Sequence, residues 1–142
     1  MRFAPLAAVA AFAAVAAADD LPNGQKGFQG TWTIVSLEHG GRQPDKVTNG
    51  TVVFKGSEYE IKHGDKTVET GTFKAVAAKT PHLIDAEAKT GEHKGTKWHG
   101  LYELEGDTLR AVVVPADKAR PRAVTVVPEG GRGFTLKRAA KQ

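Results

Sequence analysis

Short runs in which apolar and polar residues alternate follow one another along the chain from residue 30 onward. In the clearest run, residues 58–62, Tyr59 and Ile61 alternate with charged side chains. A period of two predicts a strand with one buried face. Clusters of Gly, Asp, Asn and Pro separate the runs, as turns do. The pattern predicts strands at 31–38, 51–55, 58–62, 66–74, 82–87, 97–104, 108–114, 123–127 and 133–138.

The connections between these runs are mostly short, which makes consecutive strands antiparallel neighbours. We therefore predict an all-β fold, an antiparallel up-and-down meander of about eight to nine strands that closes into a barrel. A two-sheet β-sandwich is the alternative. In the first strand Leu37 is out of phase with Trp32 and Ile34, which indicates a bulge near Val35. A single helical turn at 44–48 is the most helix that the sequence predicts beyond residue 30.

The first eighteen residues have a different texture. Arg2 precedes an apolar run at 3–15, and the small residues 16–18 follow it. This is the layout of a signal peptide that is removed on export. An uncleaved membrane anchor is the alternative, but the run is shorter than the roughly 20 apolar residues that a spanning helix needs.

Cleavage after Ala18 divides the chain into a signal peptide (1–18), an N-terminal linker (19–28), a barrel domain (29–138) and a C-terminal tail (139–142). Phe28 is the one linker residue that could enter a core. We expect a periplasmic or extracellular protein with no membrane span after cleavage, and a monomer.

Composition excludes several classes of chemistry. The chain has no cysteine, and therefore no disulfide, thiol nucleophile, thiolate metal site or lipidated cysteine. The net charge is +4, but the basic residues are dispersed and form no stripe. We therefore expect no nucleic-acid partner.

No catalytic or metal-binding constellation stands out. The five histidines form no paired-ligand motif, and neither Ser36 nor Ser57 lies in a nucleophile motif. We expect no metal, no cofactor and no catalytic residue. An enzyme is therefore only the third functional hypothesis, after the two that close this subsection. The histidines, read as solvated, are His39, His63, His82, His93 and His99.

Seven aromatic residues fall on predicted strands: Trp32, Phe54, Tyr59, Phe73, Trp98, Tyr102 and Phe134. They either fill the barrel or line a cavity, because a barrel of eight strands is at the size limit between the two. If a cavity exists, Tyr59, Phe73, Trp98 and Tyr102 are the candidate ligand-binding residues.

The start of the first strand, Gly30-Thr31-Trp32, resembles the GxW signature of lipocalin-type barrels. That resemblance implies that a basic residue late in the last strand stacks on the tryptophan and closes the barrel. Arg138 stands at the corresponding place. It would contact Trp32 through a cation–π interaction.

A series of motifs also resembles a bacterial family of small exported proteins of unknown function, abundant in Planctomycetes. The resemblance covers residues 29–138 and implies a lipocalin-like fold and export, with no catalytic residues and no established ligand. Some relatives carry a cysteine after the GDTL motif, whereas residues 111–114 contain none. The matching pieces are Gln29-Gly30-Thr31-Trp32, Phe54 with Tyr59, Glu69-Thr70-Gly71-Thr72-Phe73, Gly100-Leu101-Tyr102-Glu103-Leu104, Gly106-Asp107-Thr108-Leu109, Arg120-Pro121 and Leu136-Lys137-Arg138.

Two functions from different classes follow from these features. The first is the binding of a small apolar or amphipathic ligand inside the barrel. The alternative is a filled, ligand-free barrel whose charged loops at 89–97 and 115–122 bind another cell-envelope protein or a polysaccharide.

Overall fold

A computed structural model describes residues 23–40, 45–46, 49–77 and 81–139. The predicted signal peptide, the first part of the linker and the last three residues lie outside the described residues. No helix in the described part of the chain is long and apolar enough to cross a membrane. The elements are α1 (Asn23–Lys26), β1 (Gly30–His39), β2 (Asp45–Lys46), β3 (Gly50–Lys55), β4 (Glu58–His63), β5 (Lys66–Val76), β6 (His82–Ala88), β7 (Lys97–Glu105), β8 (Thr108–Pro115) and β9 (Arg132–Arg138).

Eight of the strands form a closed antiparallel barrel. Each strand from β3 to β8 pairs with the next along the chain, β1 pairs with β3, and β9 pairs back with β1. This confirms the predicted up-and-down barrel, and the two-sheet sandwich is wrong. The remaining strand, β2, has two residues and pairs with Ser36 and Leu37 of β1. Asp45 and Lys46 therefore lie in a strand pairing, whereas the sequence predicted a helical turn there.

The predicted irregularity in β1 is present. The register between β1 and β9 shifts between Ile34 and Ser36, and Val35 is 49% exposed. Trp32 and Ile34 point into the barrel before this bulge. A bulge of this kind increases the local twist of the strand, as barrel closure requires.

The strand registers define two ends of the barrel. At one end, the start of β1 lies beside the turn at 56–57, because Gly30 pairs with Phe54. We call this the plugged end. The turn at 64–65 and the loops at 89–96 and 116–131 lie at the opposite end.

The segment before β1 closes the plugged end. Phe28 is fully buried, with its ring 5.0 Å from that of Phe54 and 4.8 Å from that of Tyr102. Gln25 is 2% exposed and donates through Nε2 to Ser57 Oγ at 2.7 Å. Gln25 and Phe28 of the predicted linker are therefore packed as part of the barrel.

The predicted strand at 123–127 is wrong, since this segment is irregular and packs on the outside of the barrel. Val124 is buried against Leu101 and Val112, and its carbonyl accepts from Arg110 Nε at 2.8 Å. A closed barrel has no free edge: β9 is already paired on both sides. One backbone carbonyl of the segment, that of Val124, is bonded by a side chain instead of by a neighbouring strand.

Candidate functional site

A cavity of about 70 Å³ lies inside the barrel. The side chains around it come from the seven strands β3 to β9 and from Phe28, and most of them are apolar. It is bounded by Phe28, Val52, Phe54, Tyr59, Ile61, Glu69, Phe73, Ile84, Ala86, Trp98, Leu109, Ala111, Val113, Arg132, Phe134 and Leu136.

A polar cluster of Tyr59, Glu69, Trp98 and Arg132 interrupts this apolar wall. Glu69 and Arg132 form a buried ion pair, with two N···O distances of 3.4 Å and side-chain exposures of 5% and 11%. The Tyr59 hydroxyl donates to Glu69 Oε2 at 2.6 Å. A buried charge is tolerated when it is paired and hydrogen-bonded in this way. The cluster thus places a neutral pair of opposite charges in the barrel interior.

Strand periodicity positions both charged residues. Glu69 is in phase with the buried residues Gly71 and Phe73 of β5, and Arg132 is in phase with Phe134 and Leu136 of β9. Alternate residues of a strand share a face. Both charges therefore point inward, although such residues are usually found on the outer face.

A glycine makes room for the tyrosine of the cluster. Gly71 pairs with Tyr59, and a Cβ at Gly71 would lie 2.7 Å from the Tyr59 ring. The absence of a side chain lets the ring lie across β5 and reach Glu69. This is a close approach that only glycine permits.

Arg132 also contacts two aromatic rings. Its guanidinium carbon lies 4.2 Å from the ring centroid of Trp98 and 5.3 Å from that of Phe134. The first distance is typical of a cation–π contact. Arg132 therefore links the acidic side of the cluster to its aromatic side.

Two hydrogen-bond donors of the cluster are left over. Trp98 Nε1 and Arg132 Nε are buried and have no hydrogen-bond partner among the described residues. Buried polar groups are usually paired, and an unpaired one costs about 1–3 kcal/mol. Both residues line the cavity, so these buried donors lie in its wall.

The two tyrosines of the chain have raised pKa values. Burial is the largest cause for Tyr59, followed by its hydrogen bond to Glu69, and both raise the pKa of the phenol well above its ordinary value. Burial also raises the pKa of Tyr102. The phenols therefore stay neutral, and Tyr59 acts as a donor to the carboxylate.

Three of the four predicted cavity residues line the cavity: Tyr59, Phe73 and Trp98. The fourth, Tyr102, does not, because Phe28 packs against its ring. Tyr102 instead stacks on His82, with ring centroids 5.2 Å apart.

Sequence reasoning missed Glu69 and Arg132. Their in-phase positions on strands whose other inward residues are apolar were the available signal. Arg132 lies one residue before the predicted strand at 133–138, so the pattern assigned no strand phase to it.

Trp32 makes the predicted contact with Arg138 where β1 pairs with β9. The guanidinium carbon of Arg138 lies 4.2 Å from the ring centroid of Trp32, its partner across β1 and β9. Arg138 donates to the carbonyls of Gln29 at 2.9 Å and Gly27 at 3.1 Å. Trp32 Nε1 donates to the carbonyl of Phe28 at 2.7 Å. These bonds hold residues 27–29 against the barrel wall.

Within the ranges that the structure describes, no three acidic or histidine side chains group together to hold a metal ion. Comparison of the chain with protein-family models, with curated proteins and with solved structures found no match. The resemblance to the exported family of Planctomycetes stays a prediction.

Proposed function

We propose that this protein is an exported carrier that binds a small apolar or amphipathic molecule inside its barrel. The observation that carries the proposal is the interior cavity, with an almost wholly apolar wall and a few polar groups on one side. Ligand sites in proteins typically have this composition, in which the apolar wall supplies affinity and a few polar groups fix orientation.

The size of the cavity limits the ligand. An engineered cavity of about 150 Å³ in another protein binds benzene or xenon. A volume of about 70 Å³ is smaller, so the ligand, or the part of it inside the barrel, has only a few non-hydrogen atoms.

Xenon binding tests this proposal, because xenon is an apolar atom with no head group. Carbon–proton NMR spectra of the methyl groups would be recorded under increasing xenon pressure. We expect saturable shifts for methyls that line the cavity, such as those of Val52 and Leu109. Methyls of exposed Val126, which lies outside the barrel, serve as the internal reference.

A pair of variants separates cavity binding from surface binding. Ala111→Val adds two methyl groups to the cavity wall, whereas Ala123→Val adds the same groups at an exposed position. Xenon shifts should be lost or much weakened in the first variant and kept in the second. Equal shifts in both variants would contradict the proposal.

The filled-barrel alternative has its own support. The cavity is well below the roughly 300–1,000 Å³ of typical ligand pockets, and Phe28 fills the plugged end. In that case, the exposed charged side chains of the loops, such as Lys94 and Lys118, would bind an envelope protein or a polysaccharide. An absence of any xenon effect on the lining methyls would favour this function.

A further inference from the structure

The polar cluster differs from a simple anion site because its charge is already balanced. Both terminal nitrogens of Arg132 face Glu69, at 3.4 Å each. An incoming carboxylate would therefore meet Glu69 as well as Arg132. It would place a second negative charge in an interior with only one compensating cation, and an uncompensated buried charge is strongly disfavoured.

The two donors that have no partner carry a different preference. Arg132 Nε and Trp98 Nε1 are N–H groups, which can only donate. Each is satisfied by an oxygen that accepts. A neutral carbonyl or ether oxygen satisfies such a donor without adding charge. The arginine stacks on the tryptophan at 4.2 Å, so the two donors belong to one contact pair at the cavity wall.

The other tryptophan of the chain, Trp32, differs from Trp98 in that its indole N–H has a hydrogen-bond partner. Trp32 is also stacked by an arginine at 4.2 Å, but its Nε1 donates to the carbonyl of Phe28 at 2.7 Å. The Trp32–Arg138 pair is complete within the protein. The Trp98–Arg132 pair is not, and both of its residues line the cavity.

We propose that Trp98 and Arg132 select a neutral ligand that carries a hydrogen-bond-accepting oxygen, such as a ketone, aldehyde or ester, and that they reject carboxylates. This inference rests on the proposed function, since it names the chemical class of ligand for the same cavity. The apolar part of the ligand occupies the remaining wall, and the oxygen accepts from Trp98 Nε1, from Arg132 Nε, or from both.

Nitrogen–proton NMR tests the inference directly, because the chain has two tryptophans and hence two indole N–H signals. The probes are butan-2-one and butanoate, which share chain length and differ in charge, together with xenon. Trp98→Phe assigns the signals by removing one of them. Trp32, whose N–H is already bonded, is the internal control.

With butan-2-one we expect a saturable downfield shift of the Trp98 indole proton and no shift for Trp32. Xenon should shift the cavity methyls without moving the Trp98 indole proton downfield. Butanoate at neutral pH should bind at least roughly tenfold more weakly than butan-2-one, because a buried carboxylate finds no free cation. Trp98→Phe should weaken binding of butan-2-one and leave xenon binding in place.

A charge variant reverses the preference. Glu69→Gln removes the negative charge but keeps the shape of the side chain, which leaves Arg132 without its ionic partner. Butanoate should then bind more tightly than butan-2-one. Because this variant is expected to be less stable, its fold is checked first, and Trp98→Phe keeps the inference testable if it does not fold.

The possible failures are distinct. Butanoate that binds the wild-type protein as tightly as butan-2-one would overturn the inference. Saturation by butan-2-one with no movement of the Trp98 signal would also overturn it. In both cases the cavity would still bind ligands. If neither xenon nor butan-2-one affects any lining residue, the proposed function fails, and this inference fails with it.

Discussion

The guanidinium of Arg132 lies 4.2 Å from the ring of Trp98 inside the barrel, and six residues later Arg138 lies 4.2 Å from Trp32. Both arginines belong to β9 and are in phase along it. Arg138 holds residues 27–29 against the barrel where β9 pairs with β1. The contact of Arg132 leaves two donors without partners beside a cavity. The same pair of residue types therefore has a structural role in one place and a binding role, as we propose, in the other.

Removal of the Phe28 side chain should destabilise the fold. Phe28→Ala deletes a fully buried ring that contacts Phe54, Phe73 and Tyr102. We expect the free energy of unfolding to fall by about 3–5 kcal/mol, the usual cost of such a deletion. Urea denaturation measures it. Lys26→Ala, at an exposed position of α1, is the control and should change stability by less than about 0.5 kcal/mol. Equal stability of the two variants would show that residues 23–28 are a detached linker.

Loss of the closing arginine should cost stability, but less. Arg138→Ala removes two bonds to backbone carbonyls and the contact with Trp32. We expect a loss of about 2 kcal/mol, because bonds from charged donors and a cation–π contact contribute on this scale. The ion pair with exposed Asp107 adds little. Lys137→Ala, one residue earlier and exposed, is the control in the same urea experiment. A loss as large in the control would contradict the predicted role of Arg138.

The buried ion pair should show strong coupling. Glu69→Gln and Arg132→Met each leave one buried partner of the pair without its counter-charge, which typically costs about 3–5 kcal/mol. The double variant removes both charges, so it should lose clearly less stability than the sum of the two single variants. A double-mutant cycle from urea denaturation measures this difference. Additive losses would mean that the two side chains do not interact.

The raised pKa values of the two tyrosines give a pH dependence. A free tyrosine titrates near pH 10, whereas burial keeps Tyr59 and Tyr102 protonated in the folded protein. Since the folded pKa lies above the unfolded value, the resulting stability is complete below about pH 10 and declines as the pH rises further. Ultraviolet titration should show that tyrosinate forms at a higher pH in the folded protein than in the unfolded chain. The chain has only these two tyrosines, so half of the signal appearing near pH 10 in the folded protein would contradict the burial of one of them.

The local alternation of apolar and polar residues was sufficient to predict the strands of the barrel, but it was not sufficient for the segment 123–127 that packs on the outside. The alternation around Tyr59 and Ile61 predicts a strand with one buried face, and both residues pack in the core of the barrel. The same alternation at 123–127 predicted a strand, but strand formation also needs a free edge to pair with. Closure of β9 onto β1 removes that edge, and closure is a property of the whole chain.

The candidate site was predictable only in its aromatic part. Tyr59, Phe73 and Trp98 could be assigned to the interior because aromatic residues on strands are usually buried. Glu69 and Arg132 could not be assigned in this way, since the stability of each inside the barrel depends on the other. Their sequence separation of 63 residues hides that dependence. Tyr102 lies in the same core but outside the lining of the cavity, and Phe28, from outside the predicted barrel domain, packs against its ring.

Native mass spectrometry of the mature protein, purified from its own host and followed by organic extraction, would show whether the barrel carries a ligand. We expect one small neutral molecule bound per chain, which is released by extraction. A mass that corresponds to the protein alone, unchanged after incubation with a lipid and metabolite extract of the host, would contradict the claim that this barrel is a ligand carrier.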